Sequence, residues 1–152
     1  AAGAYVANRN ADAAQQQASL RGGIAGAKAD AERYGKAADT ARQVANQRKA
    51  EIARLNAAYD QNLITAQQYS DEIDGIDSDL QSLKMLLVES EGNIQLMERD
   101  IEELQKYGRD TSNLTAAKRD LEEENARLRE AWSDLVASIE AMPTGVERPE
   151  TS

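Results

Sequence analysis

Two apolar heptad seams of nearly equal length, separated by a short capped joint, constrain this chain more than any other feature. The first steps by three and four residues from Leu20 through Ile24, Ala27, Ala31, Tyr34, Ala38, Ala41, Ala45, Arg48, Ile52, Leu55 and Tyr59 to Asn62. The second runs from Tyr69 through Ile73, Ile76, Leu80, Leu83, Leu87, Ser90, Ile94, Met97, Ile101 and Leu104 to Gly108. A 3.5-residue period keeps one stripe of each helix facing a partner, which is the spacing of coiled-coil packing. The first of the two prolines is Pro143, so no earlier position loses a helical hydrogen bond to proline. No alternating strand pattern occurs. The fold class read from this grammar is all-α: a long antiparallel helical hairpin, or coiled coil, with a C-terminal helical extension.

The joint fixes the direction of the second arm. In Tyr59-Asp60-Gln61-Asn62-Leu63-Ile64-Thr65-Ala66-Gln67-Gln68-Tyr69, Thr65 stands as an N-cap with Gln68 at the third helical position, a reciprocal capping box. Ile64 and Tyr69 flank it in the positions of a hydrophobic staple. The reading is a first Ala-rich helix over 1–62, a joint at 63–65 and a second helix over 66–107. Folding back about the joint pairs residues whose numbers sum to about 128, by the geometry of an antiparallel pair. Tyr59 then meets Tyr69, Leu55 meets Ile73, Ala45 meets Leu83, Ala41 meets Leu87, Tyr34 meets Ile94 and Ala27 meets Ile101. Small residues oppose large ones, as interdigitated packing requires. Charge agrees: residues 1–65 carry +3 and residues 66–152 carry −12, which together give the net −9.

Gly108 interrupts the second arm beside Gly22-Gly23 of the first. Three glycines at one level predict a bend or break, recapped by Asp110 or Ser112, with a continuous glycine-tolerant helix as the alternative. A helical extension over 108–142 then carries Leu114, Lys118, Leu121, Asn125, Leu128, Trp132, Leu135, Ile139 and Met142. Continuing outward in the hairpin register, it meets only Ala14, Ala7 and Gly3 before the first arm is exhausted. The stripe Leu121, Asn125, Leu128, Trp132, Leu135, Ile139 and Met142 is therefore the candidate partner-binding surface, with Trp132 as anchor and Asn125 setting register. Its occupant is a partner protein or a second copy of the chain. Residues 143–152 read as a disordered tail.

Composition narrows the function. The chain has no His and no Cys, which removes Ser-His-Asp and Cys-His catalytic sets, the usual zinc sites and disulfides. A net charge of −9 opposes nucleic acid as a general partner. No run of about 20 apolar residues is present to span a membrane. The sequence opens Ala1-Ala2-Gly3-Ala4 rather than with Met, the expectation being a processed chain or a fragment whose membrane attachment, if any, lies in a segment upstream.

Individual motifs add little chemistry. Ser70 to Gln81 superficially matches a calcium loop about Gly75, but Gln81 stands where a bidentate Glu is required, so a solvated acidic helix face is the reading. In it, Arg48 is placed to reach Asp77 or Asp79. Gly22-x-x-x-Gly26 is flanked by Arg21 and Lys28 and reads as close packing in a helix pair rather than a membrane motif. Asn113-Leu114-Thr115 forms a glycosylation triplet with a seam-facing Leu. Carboxylates are plentiful, yet paired helices offer no closed pocket to tune them, so no enzyme activity and no cofactor or metal is expected.

The opening Ala1-Ala2-Gly3-Ala4-Tyr5-Val6-Ala7-Asn8-Arg9-Asn10 resembles the exit from the glycine-zipper segment of bacterial cell-envelope lipoproteins, where hydrophobic Gly/Ala helices pass into an Ala/Gln-rich coiled coil. The resemblance implies an envelope or periplasmic location and a structural or spacer role, without catalytic residues. The expected function is a non-catalytic coiled-coil scaffold of an envelope or macromolecular assembly, acting by helix–helix docking. A soluble adaptor or chaperone-like coiled coil, such as a secretion or phage accessory protein, is the alternative.

Overall fold

The structure is a computed structural model describing the backbone of residues 2–151 and the side chains of residues 28–151. It is all-helical. Helix α1 spans Ala2–Asp60, α2 Ala66–Glu72, α3 Ile76–Lys106 and α4 Ser112–Glu140. The packing is that of a three-helix bundle: α1 contacts both α3 and α4, and α3 contacts α4, with α2 a short bracket at the hairpin end.

The hairpin forms as its local signals dictate. Helix α1 stops because Asn62 takes φ 58°, a left-handed conformation that Asn tolerates better than most residues. The Leu63 amide then bonds the Ala58 carbonyl at 2.9 Å and the Asn62 amide the Tyr59 carbonyl at 3.0 Å, closing a Schellman motif. Three residues later Thr65 accepts from the Gln68 amide at 3.1 Å while its own amide donates to Gln68 Oε1 at 2.9 Å. The Tyr59 and Tyr69 rings meet edge to face, centroids 6.2 Å apart. Their numbers sum to 128, and those of the ion pair Arg48–Asp79 to 127, so the hairpin register is the one read from the sequence.

Three sequence expectations are corrected. The second helix is not continuous over 66–107: it breaks after Glu72, with Gly75 at φ 86°, and resumes at Ile76. Gly75 is the residue able to adopt that angle cheaply, and the break lies against the Arg48 guanidinium, which donates through Nη2 to the Asp74 carbonyl at 3.1 Å.

The segment 108–142 does not extend the hairpin outward. Gly108, at φ 65°, ends α3 with a second Schellman pair, the Arg109 amide to Leu104 and the Gly108 amide to Gln105, both at 3.0 Å. Asp110 then accepts from the Ser112 amide at 2.9 Å as α4 begins. The chain therefore reverses, and α4 lies antiparallel to α3 and parallel to α1. The proposed meetings with Ala14, Ala7 and Gly3, the pairing of Ala27 with Ile101 and the Gly22-Gly23 level fall outside the described side chains.

The C-terminal tail is ordered against the hairpin end. Met142 and Val146 are buried, Arg148 Nη2 donates to the Met142 carbonyl at 3.0 Å, and Gly145, at φ 99°, lies beside the Tyr59 hydroxyl. Residues 143–151 thus cap the core instead of trailing from it. One apolar cluster runs from Tyr34, Met97 and Leu114 at one end to Tyr69, Met142 and Val146 at the other.

Candidate interaction surface

The stripe singled out on α4 is the seam by which that helix enters its own bundle. Leu121, Leu128, Leu135, Ile139 and Met142 are buried in the common core, Asn125 is buried with them, and Trp132 packs on the core while remaining partly exposed. The expectation that these residues lack a partner within the chain is therefore overturned. Once α4 turns back at Gly108, its apolar face lies against the alanine seam of α1 and the Leu/Ile seam of α3. The alanines explain why both fit, since Ala38 and Ala45 are buried where larger side chains would hold the helices apart.

Ion pairs at the bundle edges fix the register of α4. Arg42 faces Glu124 at 3.7 Å and Lys49 faces Asp134 at 3.9 Å along α1. Across α3, Lys118 pairs with Glu98 at 3.3 Å and Arg129 pairs with Glu91. Lys118, at a seam position, carries its ammonium out to the edge between Glu98 and Glu122, and hydrogen bonding to Glu98 first of all raises its pKa.

Asn125 belongs to a polar level inside the bundle. Tyr34 of α1, Ser90 of α3 and Asn125 of α4 are all buried; Asn125 Oδ1 has no hydrogen-bond partner, and the Tyr34 hydroxyl makes no well-formed hydrogen bond, only a weak interaction with Ser90. Ser90 Oγ is committed to the Leu87 carbonyl at 2.9 Å. Burial raises the Tyr34 pKa; Ser90 offsets part of the rise, and Glu124, Glu89 and Glu91 add to it. A buried polar level of this kind sacrifices stability and disfavours shifted registers, the role attested for polar seam residues in coiled coils.

The acidic stretch Ser70 to Gln81 spans the α2–α3 break. Asp79 is taken by Arg48 at 2.7 Å, and among the described residues no three potential ligands gather to hold a metal ion. A shallow groove of about 550 Å³ lies between α1 and α4, floored by Ala31, Gly35, Ala117 and Leu121 and rimmed by Glu32 and Arg127. Among the described residues no helix is long and apolar enough to cross a membrane.

With α4 spent internally, two features face outward. The first is length: α1 has 59 residues against 31 in α3 and 29 in α4. In the hairpin register Lys106, the last residue of α3, is level with about residue 21 of α1. Ser112, at the start of α4, is level with residues 27–30, because the facing pairs Arg42–Glu124 and Lys49–Asp134 differ by 82 and 85. The helix before that level has no opposing helix within the described residues. The second is the outer face of α3, where Met85, Val88 and Leu96 are 69%, 64% and 54% exposed. Sequence reasoning missed this face because it followed the inner heptad and left off-seam apolar residues unexamined.

The fold so defined is a three-helix bundle with one overlong helix. No protein-family model, curated protein or solved structure matches the chain.

Proposed function

We propose that this chain is a non-catalytic structural element, a helical spacer or scaffold of a bacterial envelope or macromolecular assembly that docks through helix–helix contacts. The observation that carries the reading is the overreach of α1, whose 59 residues outrun both helices packed against it. Its unmatched part includes Leu20, where the apolar seam begins. A helix bearing such a stripe is marginal alone in water and gains most of its stability from packing. The arm is therefore the docking element and the bundle its rigid base. The likeness of residues 1–10 to the exit of a glycine zipper supports an envelope location. The adaptor reading uses the same arm and differs in where the chain resides.

Fractionation of cells producing the chain in its native context tests both. Wild-type protein is expected in the envelope fraction at high mass. Leu20→Glu is expected to lower that mass without changing the melting of the bundle, because residue 20 lies beyond the level of Lys106, the last residue of α3. Wild-type chain recovered from the soluble fraction in complex with another protein would favour the adaptor. Free, unassociated chain in either fraction would overturn docking altogether.

A further inference from the structure

The outer face of α3 carries a self-complementary pattern. Met85, Val88, Gly92 and Leu96 fall within an arc of about 80° on the helix surface at 3.6 residues per turn. This arc points away from the buried face made by Ile76, Leu80, Leu83, Met97 and Leu104. Three exposed large apolar residues in line are unusual for a helix whose opposite face already fills the core. Gly92 sits in their midst, and nothing lies within 4 Å of where its Cβ would be. A glycine at the centre of an apolar stripe lets a second helix approach closely.

We propose that α3 is a homodimer interface, pairing antiparallel with α3 of a second copy about a two-fold axis at Gly92. In that register facing residues have numbers summing to about 184, so Val88 meets Leu96 of the second copy and the reverse. The charged edge supports this occupant. Asp77, Lys84 and Glu91 recur at seven-residue intervals along one flank, continued by Gln95, Glu102 and Lys106. The two-fold keeps this flank on one side, bringing Lys84 to Glu102 of the second copy and Asp77 to Lys106 of the second copy. Each pair occurs twice by symmetry. Lys84 makes no ion pair within its own chain among the described residues, so it is available. Complementary edges select orientation and register more than they add affinity, and an isologous contact closes at two subunits.

The inference rests on the α3 face alone and deepens the scaffold reading. Because α1 is antiparallel to α3, a two-fold about Gly92 sends the two α1 arms to opposite ends, giving a bar with a docking arm at each. Failure of the dimer would leave the docking role of α1 untouched, since the two surfaces are read out by different variants.

The chain has no cysteine, so single introduced thiols report cleanly. Gly92→Cys places two thiols at the axis and is expected to give a disulfide-linked dimer under mild oxidation. Gln81→Cys on the same face lies 11 residues from the axis, about 33 Å from its mate at 1.5 Å per residue, and is expected not to cross-link. Sedimentation of wild-type protein is expected to show a monomer–dimer equilibrium. Met85→Glu with Val88→Glu should weaken it at least tenfold while leaving the melting temperature of the bundle unchanged, both side chains being exposed. A wild-type chain that stays monomeric, or equal cross-linking at residues 81 and 92, would overturn the interface.

Discussion

Arg48 and Asp79 join the two arms of the hairpin through a bond of 2.7 Å from Nε to Oδ2, on a seam occupied mostly by apolar residues. The same guanidinium reaches the Asp74 carbonyl and Glu51. One side chain thereby pins α1 to the break between α2 and α3, and a carbonyl freed by that break gains a charged donor.

Arg48→Ala is expected to destabilise the chain by about 1–3 kcal/mol, the range for losing hydrogen bonds to a charged group at a part-buried site. Arg48→Lys should recover only a fraction, because an ammonium cannot serve the Asp79 carboxylate and the Asp74 carbonyl with the same planar fork. Urea unfolding midpoints of the two variants check this. Equal stability of Arg48→Lys and wild type would show that charge alone suffices.

Tyr34 should make the bundle sensitive to alkali. Its pKa is raised by burial, as is that of Tyr69. A group whose folded pKa lies above its unfolded value favours the protonated fold, so the contribution is fully present below the unfolded value, about 10 for Tyr. It is lost as pH rises through the folded pKa. Tyr34→Phe removes a buried hydroxyl that makes no well-formed hydrogen bond, only a weak interaction with Ser90. It is expected to leave neutral-pH stability unchanged or raise it by up to about 1 kcal/mol, and to shift the alkaline unfolding midpoint upward. Thermal melts from pH 8 to about pH 11 read out both effects, and loss of stability at neutral pH would reveal a hydrogen bond the hydroxyl makes through solvent.

Leu128 and Trp132, four residues apart on α4, should behave differently. Leu128 is fully buried and Trp132 partly exposed at the edge of the core. Leu128→Ala is expected to cost about 2–5 kcal/mol, the range for deleting a buried Leu, and Trp132→Ala less than Leu128→Ala despite removing more atoms. Chemical denaturation followed by far-ultraviolet circular dichroism decides between this order and its reverse. The reverse would mean that Trp132 is covered by more than its own chain.

Local signals carried the hairpin into view from sequence: the Thr65–Gln68 capping box and the Tyr59–Tyr69 pair lie at the joint, and the register they set places Arg48 against Asp79. The fate of α4 was not legible in the same way. Gly108 and Asp110 do mark a turn, but a heptad stripe looks identical whether it is covered by another subunit or by its own chain, and the pattern of Leu121 to Met142 holds no sign of which. Ala38 and Ala45 were the missed signal. A seam that small leaves room for two neighbouring helices. The order of residues 143–151 is not legible in the sequence because Val146 and Met142 act through burial against the hairpin end, which no local period encodes.

An odd number of long helices has a mechanical consequence. After three passes the polypeptide leaves the bundle at the pole opposite to its entry: the chain enters along α1 near Lys28 and exits beside Tyr59, where Gly145 and Arg148 are seated. Those poles are about 45 Å apart along the helix axis at 1.5 Å per residue. Tension applied through the two ends is carried along the helix axes and resisted by shear of whole seams, many contacts at once, instead of peeling one helix away turn by turn. A two-helix hairpin would bring both ends to the same pole and unzip.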